Sequence, residues 1–159
     1  MIFIKELDSK ILREIGTLSR SIHSICDIKF KELKLQKGQF IYLTRICENP
    51  GINFIDLTML LKIDKTSTTK AIQKLETEGY IDRKKDINDK RVIRLYPTEK
   101  GLKSYDDIIN EENKNIAICL KDFSEDEKDI VTELIIKMSK NIESEWKSSK
   151  MILGGHGDD

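Results

Sequence analysis

The chain has 159 residues, of which 38% are apolar and 35% charged, with a formal net charge of zero. That length holds one domain with a modest core, or a small domain with oligomerisation helices, and the composition suits a soluble, helix-rich protein with much surface. No apolar run approaches the roughly 18 residues that cross a bilayer, no signal peptide is visible, and Cys26, Cys47 and Cys119 are odd in number and widely separated, which excludes a disulfide scaffold and makes the cytoplasm the expected compartment.

Ile4, Ile11, Leu18 and Ile25 recur every seven residues and are joined by Leu7, Ile15 and Ile22. About three heptads of this pattern predict an N-terminal helix with a seam for another helix, intramolecular or from a second subunit. The next helix is expected over Gln36 to Cys47, with Phe40, Leu43, Ile46 and Cys47 inward. The run Glu48-Asn49-Pro50-Gly51 stops it.

From Asn53 to Gly101 the punctuation is dense. Asn53 is a good N-cap with Asp56 three residues on, and Phe54, Leu57, Leu60 and Leu61 form a stripe for a core. A second helix follows Asp64. Ala71, Ile72 and Leu75 make its buried side, and Lys65, Thr66, Ser67, Thr69, Lys70, Gln73 and Lys74 face outward, with the reach to meet base edges and phosphates in a major groove. Gly79 ends it as a residue free to take positive φ. Tyr80 to Lys84 and Val92 to Tyr96 read as two short strands, and the loop between them ends in Lys90 and Arg91, a basic tip placed to enter a neighbouring minor groove. The order of helix, turn, polar-faced helix, glycine and basic hairpin is that of a winged helix-turn-helix.

Thr98 is placed to cap a long helix running towards Leu120, with Ile108, Ile109, Ile116 and Leu120 apolar. Phe123-Ser124-Glu125 marks a break, and Ser124 with Glu127 makes a capping box for a last helix. Val131, Leu134, Ile135, Met138 and Ile142 form its stripe, which Trp146 extends. Lys150 to Asp159, with three glycines, reads as a disordered tail. There are no internal repeats. The expected fold is therefore mainly α with a small β-hairpin: a DNA-binding module over residues 35–101, with dimerisation helices from both termini over 1–34 and 102–149. Charge follows the same division. Residues 62–100 carry 11 Lys and Arg against 7 Asp and Glu, whereas residues 101–159 carry 8 against 14. Only one part of the chain is built to meet phosphate.

The lead-in LQKGQFIYLTRICENPG, the block IDKTSTTKAIQKLETEGYIDR and the wing NDKRVIRLYPTEKG together resemble the MarR family of bacterial transcriptional regulators, closely over Leu35 to Gly101 and in pattern only beyond it. The resemblance implies a homodimer on double-stranded DNA and a small, commonly aromatic or anionic effector, for which no residue cluster marks a site. It also implies that Asp64 and Asp89 steady the wing and that Arg91 enters the minor groove. Three positions depart from the family's pattern: Lys62 stands where glycine often makes the turn, Pro97 where leucine precedes the threonine, and Gln36 where threonine caps the preceding helix.

The expected function is a DNA-binding transcriptional regulator, a repressor, reading a palindrome with half-sites about 10 bp apart. Lys65, Lys70, Lys74, Lys90 and Arg91 would meet phosphates or the minor groove, while Thr66, Ser67, Thr69 and Gln73 would read bases. No arginine lies on that helix face, so specificity leans on apolar contacts and DNA shape. No nucleophile elbow, phosphate loop, dinucleotide fingerprint or metal-ligand spacing is present, so neither an enzyme nor a cofactor is expected. His23 and His156 are isolated, and Asp106-Asp107 and Glu111-Glu112 read as a solvated face. The alternatives are a winged helix that binds proteins in place of DNA, and a regulator that senses oxidants through a cysteine.

Overall fold

The computed structural model describes residues 4–154, which form six helices and a small antiparallel sheet. Helix α1 (Ile11–Lys29) starts later than the heptad pattern predicts, with Lys10 at its N-cap and Ser9 Oγ accepting the Ile11 N–H at 3.2 Å. Ile4 and Leu7 lie outside it, 86% and 53% exposed. Ile22, Cys26 and, just beyond, Phe30 carry its inner side into the core. Lys34, Lys37 and Gly38 then take positive φ. A run of left-handed residues cannot be helical, so α2 (Gln39–Glu48) begins at Gln39, and Gln36 is not its cap. Phe40, Leu43 and Ile46 are buried as expected, with Cys47 half-buried.

Asn53 caps α3 (Phe54–Leu61), its side chain accepting the Asp56 N–H at 2.8 Å. Leu57 and Thr58 are buried, Phe54 and Leu61 are half-buried beside them, and Leu60 is 50% exposed, contrary to the expected stripe. At about 100° per residue, Leu60 lies roughly 120° around the helix from Phe54. Helix α4 (Lys65–Thr77) buries Thr68, Ala71, Ile72 and Leu75. It ends in a Schellman motif: Gly79 has φ 78°, its N–H reaches Glu76 O at 3.0 Å, and the Tyr80 N–H reaches Leu75 O at 2.8 Å.

The hairpin is β2 (Ile81–Lys85) and β3 (Ile93–Pro97), displaced slightly from the predicted strands. A third strand, β1 (Ile52–Asn53), was not foreseen and pairs with β3 through Ile52↔Leu95 and Asn53↔Arg94, giving the order β1-β3-β2. Two residues are too short to show a period. The Thr98 hydroxyl donates to Gly79 O at 2.7 Å and accepts the Gly101 N–H at 3.1 Å, opening α5 (Glu99–Cys119). Ile108 of α5 is fully buried and belongs to the core formed with α1, α2 and α4.

Chain contacts divide the protein into two compact units, residues 1–115 and 116–159. In the second, Ser124 and Glu127 form the expected capping box, at 3.2 Å and 2.8 Å, and open α6 (Glu125–Gly154). The helix continues past Lys150 to Gly154, where a disordered tail was expected. The remainder of that tail, residues 155–159 with His156, lies outside the described residues. No helix among the described residues is long and apolar enough to cross a membrane.

Gly101 sits where α5 meets the end of α4: a Cβ there would strike the carbonyl oxygen of Tyr80, a backbone atom with no freedom to retreat. Gly101→Ala should destabilise the fold by about 1–3 kcal/mol in urea unfolding followed by circular dichroism, and an unchanged midpoint would contradict this packing.

Candidate nucleic-acid interface

Between α3 and α4 the chain turns through Lys62, which adopts the left-handed conformation at φ 55° and donates its backbone N–H to Thr58 O. A lysine here pays the steric cost that a glycine avoids. Its ammonium donates to Met59 O at 2.8 Å, which fixes the side chain on the turn. Asp64 then caps α4, accepting from Ser67 N at 2.8 Å and Ser67 Oγ at 2.7 Å.

On α4 the buried residues and the polar ones occupy opposite sides. Thr66, Thr69, Lys70 and Gln73 share the outer face, with Lys65 on one flank and Ser67 and Lys74 on the other. All but the half-buried Lys74 are exposed. Two of the hydroxyls have committed their protons. Ser67 donates to Asp64, and Thr69 donates to Lys65 O at 2.9 Å. Each can still accept a hydrogen bond, from an adenine or cytosine amino group, and the Thr69 methyl can meet a thymine methyl.

The wing is built on a carboxylate that sequence reasoning passed over. Asp86 Oδ1 accepts the N–H groups of Asn88 and Asp89 at 2.8 and 3.0 Å, and its Oδ2 accepts Arg94 Nε at 2.7 Å. Arg94 also donates to Gly51 O at 3.2 Å, linking the wing turn to the chain before α3. The signal available was the Asp-x-Asn spacing of a side chain that folds back on its own turn. Asp89 takes Arg91 Nε and Nη2 at 3.0 and 2.9 Å in a two-pronged pair. Arg91 is thereby aimed while remaining 90% exposed. The hydrogen bonds of Asp64 to Ser67 hold the start of α4. Arg83 of β2 reaches Glu76 of α4 at 2.7 Å and ties the hairpin to the helix.

Between α4 and the hairpin lies a cleft of about 220 Å³ lined by Phe54, Thr69, Ile72, Arg83, Ile93 and Leu95. Its floor is apolar and its rim carries one guanidinium. Burial pushes the thiols of Cys26 and Cys47 up to about 11, with nearby carboxylates adding to the effect. Both stay protonated at neutral pH and are poor nucleophiles. Cys119 is exposed. Among the described residues no group of His, Cys, Asp and Glu is arranged to hold a metal.

Hydrogen bonding to Arg94, reinforced by the Asp89 and Asn88 amides, holds the Asp86 carboxyl at about 2 against an ordinary 3.8. A depressed pKa contributes stability that is complete above the unfolded value and is lost as pH falls towards the folded one. Asp86 should therefore remain ionised at about pH 3 in carboxyl-carbon NMR, and Asp86→Asn should flatten the acid limb of stability between about pH 4 and 2. Ordinary titration of Asp86 near 3.8 would show that this wing strut is absent in solution.

Comparison with known proteins matches residues 35–93 to the MarR family model. The uncharacterized HTH-type transcriptional regulator YybA of Bacillus subtilis is 41% identical over 140 residues, 88% of this chain and 93% of its own length. A solved structure of a MarR protein from Peptoclostridium difficile is 60% identical, covers 94% of this chain and 97% of its own, and superposes with a TM-score of 0.87. A MarR family regulator of Listeria monocytogenes, in a crystal with 26mer DNA, is 44% identical over 93% of this chain and 96% of its own, with a TM-score of 0.86. With a relative this similar over nearly its whole length, and a helix, turn, helix and wing in the order the family uses, the chain belongs to the MarR family of winged helix-turn-helix transcriptional regulators.

Proposed function

We propose that this regulator acts as a homodimeric repressor in the cytoplasm, binding a palindromic operator with α4 of each subunit in successive major grooves and each wing in the flanking minor groove. The observation that carries the reading is the pairing of an exposed polar face on α4 with an arginine held outward by Asp89 on the adjacent hairpin. The Listeria relative crystallised with 26mer DNA supports it. Lys65, Lys70 and Lys90 make no ion pair among the described residues, so they are free to displace counterions from phosphate. Thr66, Ser67, Thr69 and Gln73 read base edges.

The dimer rests on uncovered apolar surface. On α6, Leu134, Ile135 and Ile142 are 54%, 43% and 62% exposed, and on α1, Ile11, Leu12 and Leu18 are 51%, 69% and 50% exposed. A soluble chain seldom leaves such stripes to water, and a second copy covers them at no cost in new sequence. A small aromatic acid seated in the cleft between α4 and the hairpin would change the angle between helix and wing. It would release DNA only as far as it prefers the altered angle.

The test is selection from random duplexes at two salt concentrations, with sedimentation of the free protein. Recovery of a palindrome with half-sites about 10 bp apart, by a protein of dimer mass, is expected. Retention of no duplex at either salt would overturn the reading. On the selected site, Arg91→Ala should weaken binding by about 1–3 kcal/mol; unchanged affinity would remove the wing from the interface. Leu134→Glu should yield a monomer on sedimentation, with affinity for the full palindrome reduced about 100-fold or more as the second half-site ceases to be held in place. A dimer in that variant would put the subunit interface elsewhere.

A further inference from the structure

Ile87 is 87% exposed, among the most exposed of the large apolar side chains described. It stands at the tip of the wing, in a turn where asparagine, aspartate, glycine, serine or proline would be the ordinary choice. The turn holding it is braced by hydrogen bonds on both sides. The Asp86 N–H reaches Val92 O and the Val92 N–H reaches Asp89 O, both at 2.9 Å, while the Asp86 carboxylate fastens the amides on the far side of Ile87. Lys84 and Lys85 precede it, and Lys90 and Arg91 follow it. An apolar group is thus presented, exposed, in the turn of a basic hairpin, with no place in the core.

Resting on the DNA-binding reading above, we propose that Ile87 is a second minor-groove contact of the wing, packing its side chain against the deoxyribose walls of the groove that Arg91 enters. The walls of the minor groove are sugar C–H surfaces about 6 Å apart, which accept an apolar group of this width without asking it for a hydrogen bond. Isoleucine is branched at Cβ and its first torsion is already restricted, so little freedom is lost on contact. The guanine amino group projects from the floor of that groove and is absent from A·T pairs. Ile87 therefore adds a preference for A·T pairs beneath the wing, read through groove width and not through hydrogen bonds. This supplies sequence discrimination outside the half-site, in a protein whose α4 face has no arginine to read guanine.

The experiment measures the affinity of wild type, Ile87→Asn, Ile87→Leu and Arg91→Ala for the selected palindrome over a range of salt. A second duplex carries G·C in place of A·T beneath the wings. Asparagine suits the turn, so Ile87→Asn keeps the wing folded and removes only the apolar contact. The expected result is about 3- to 10-fold weaker binding for Ile87→Asn, with the slope of affinity against salt unchanged, a smaller advantage of A·T over G·C, and recovery to within about twofold in Ile87→Leu. Arg91→Ala, by contrast, should lower the slope. Wild-type affinity in Ile87→Asn, alongside a weakened Arg91→Ala, would overturn the Ile87 contact and leave the DNA reading standing. Loss of salt slope in Ile87→Asn would also overturn it, since an apolar contact releases no counterion. If wild type binds no duplex, the contact falls with the reading on which it rests.

Discussion

Tyr80 is the residue on which the relative placement of helix and wing depends. It is 2% exposed, at the point where α4 ends and the hairpin begins, and each part of it is engaged. Its N–H closes the Schellman turn on Leu75 O at 2.8 Å, and its carbonyl accepts the Thr98 N–H at 3.0 Å at the far end of the hairpin. Its hydroxyl donates to Leu33 O at 2.7 Å in the segment before α2. Lys100 lies over its ring, with Nζ 4.3 Å from the centroid, and donates to Glu78 O. One buried side chain and its peptide group thus join the end of α4, both ends of the hairpin, the start of α5 and the approach to α2. A buried tyrosine with its hydroxyl satisfied contributes packing area and a directional bond together. Gly101 is the complement of this arrangement, since only a residue without a side chain lets α5 approach the Tyr80 carbonyl so closely.

The wing is held by a second, polar arrangement. Asp86 joins three donors from within the turn and from β3, and Arg94 carries the connection across the sheet to Gly51. The short strand β1 follows from this: Gly51 donates its N–H to Leu95 O at 2.8 Å, so the chain before α3 is drawn against β3. The wing is consequently fastened to both helices of the motif, to α4 through Arg83 and Glu76 and to the start of α3 through Arg94. A ligand or variant that disturbs the hairpin will therefore be felt at both.

The parts legible in the sequence were those with a local chemical signature. Asn53, Thr98 and the Ser124–Glu127 pair are caps whose side chains bond within three residues, and each is seen to do so; that Asp64 caps α4 was not read from the sequence. The outer face of α4 followed from period alone. Where the reading missed, something nonlocal or finer than a period decided. Helix α1 starts at Ile11, whose N–H Ser9 accepts, later than the heptads suggest. Left-handed residues at Lys34, Lys37 and Gly38 delayed α2. β1 exists only because β3 lies beside it, and Asp86 acquires its importance from Arg94, eight positions away across the hairpin. The committed hydroxyls of Ser67 and Thr69 were likewise invisible, since residue type gives the donor but not its partner.

Charge in the wing shows why composition alone misleads about nucleic-acid binding. Residues 81–97 include Asp82, Asp86 and Asp89, which would repel phosphate if they stood free. Asp86 and Asp89 do not: each is bound to an arginine, and that bonding holds both carboxyls below the usual range. Their charge is spent on geometry. The same pairing raises the Arg91 and Arg94 guanidinium groups and leaves the Arg91–Asp89 unit nearly neutral as a whole. On the DNA-binding reading proposed above, attraction at long range comes from the lysines of α4 and the wing that make no ion pair, and its effect is salt-dependent and indifferent to sequence. Arg91 keeps an exposed edge whose direction Asp89 already fixes. A zero net charge is therefore compatible with DNA binding, because Asp86 and Asp89 orient Arg94 and Arg91 and the acidic residues of 101–159 lie in another part of the chain.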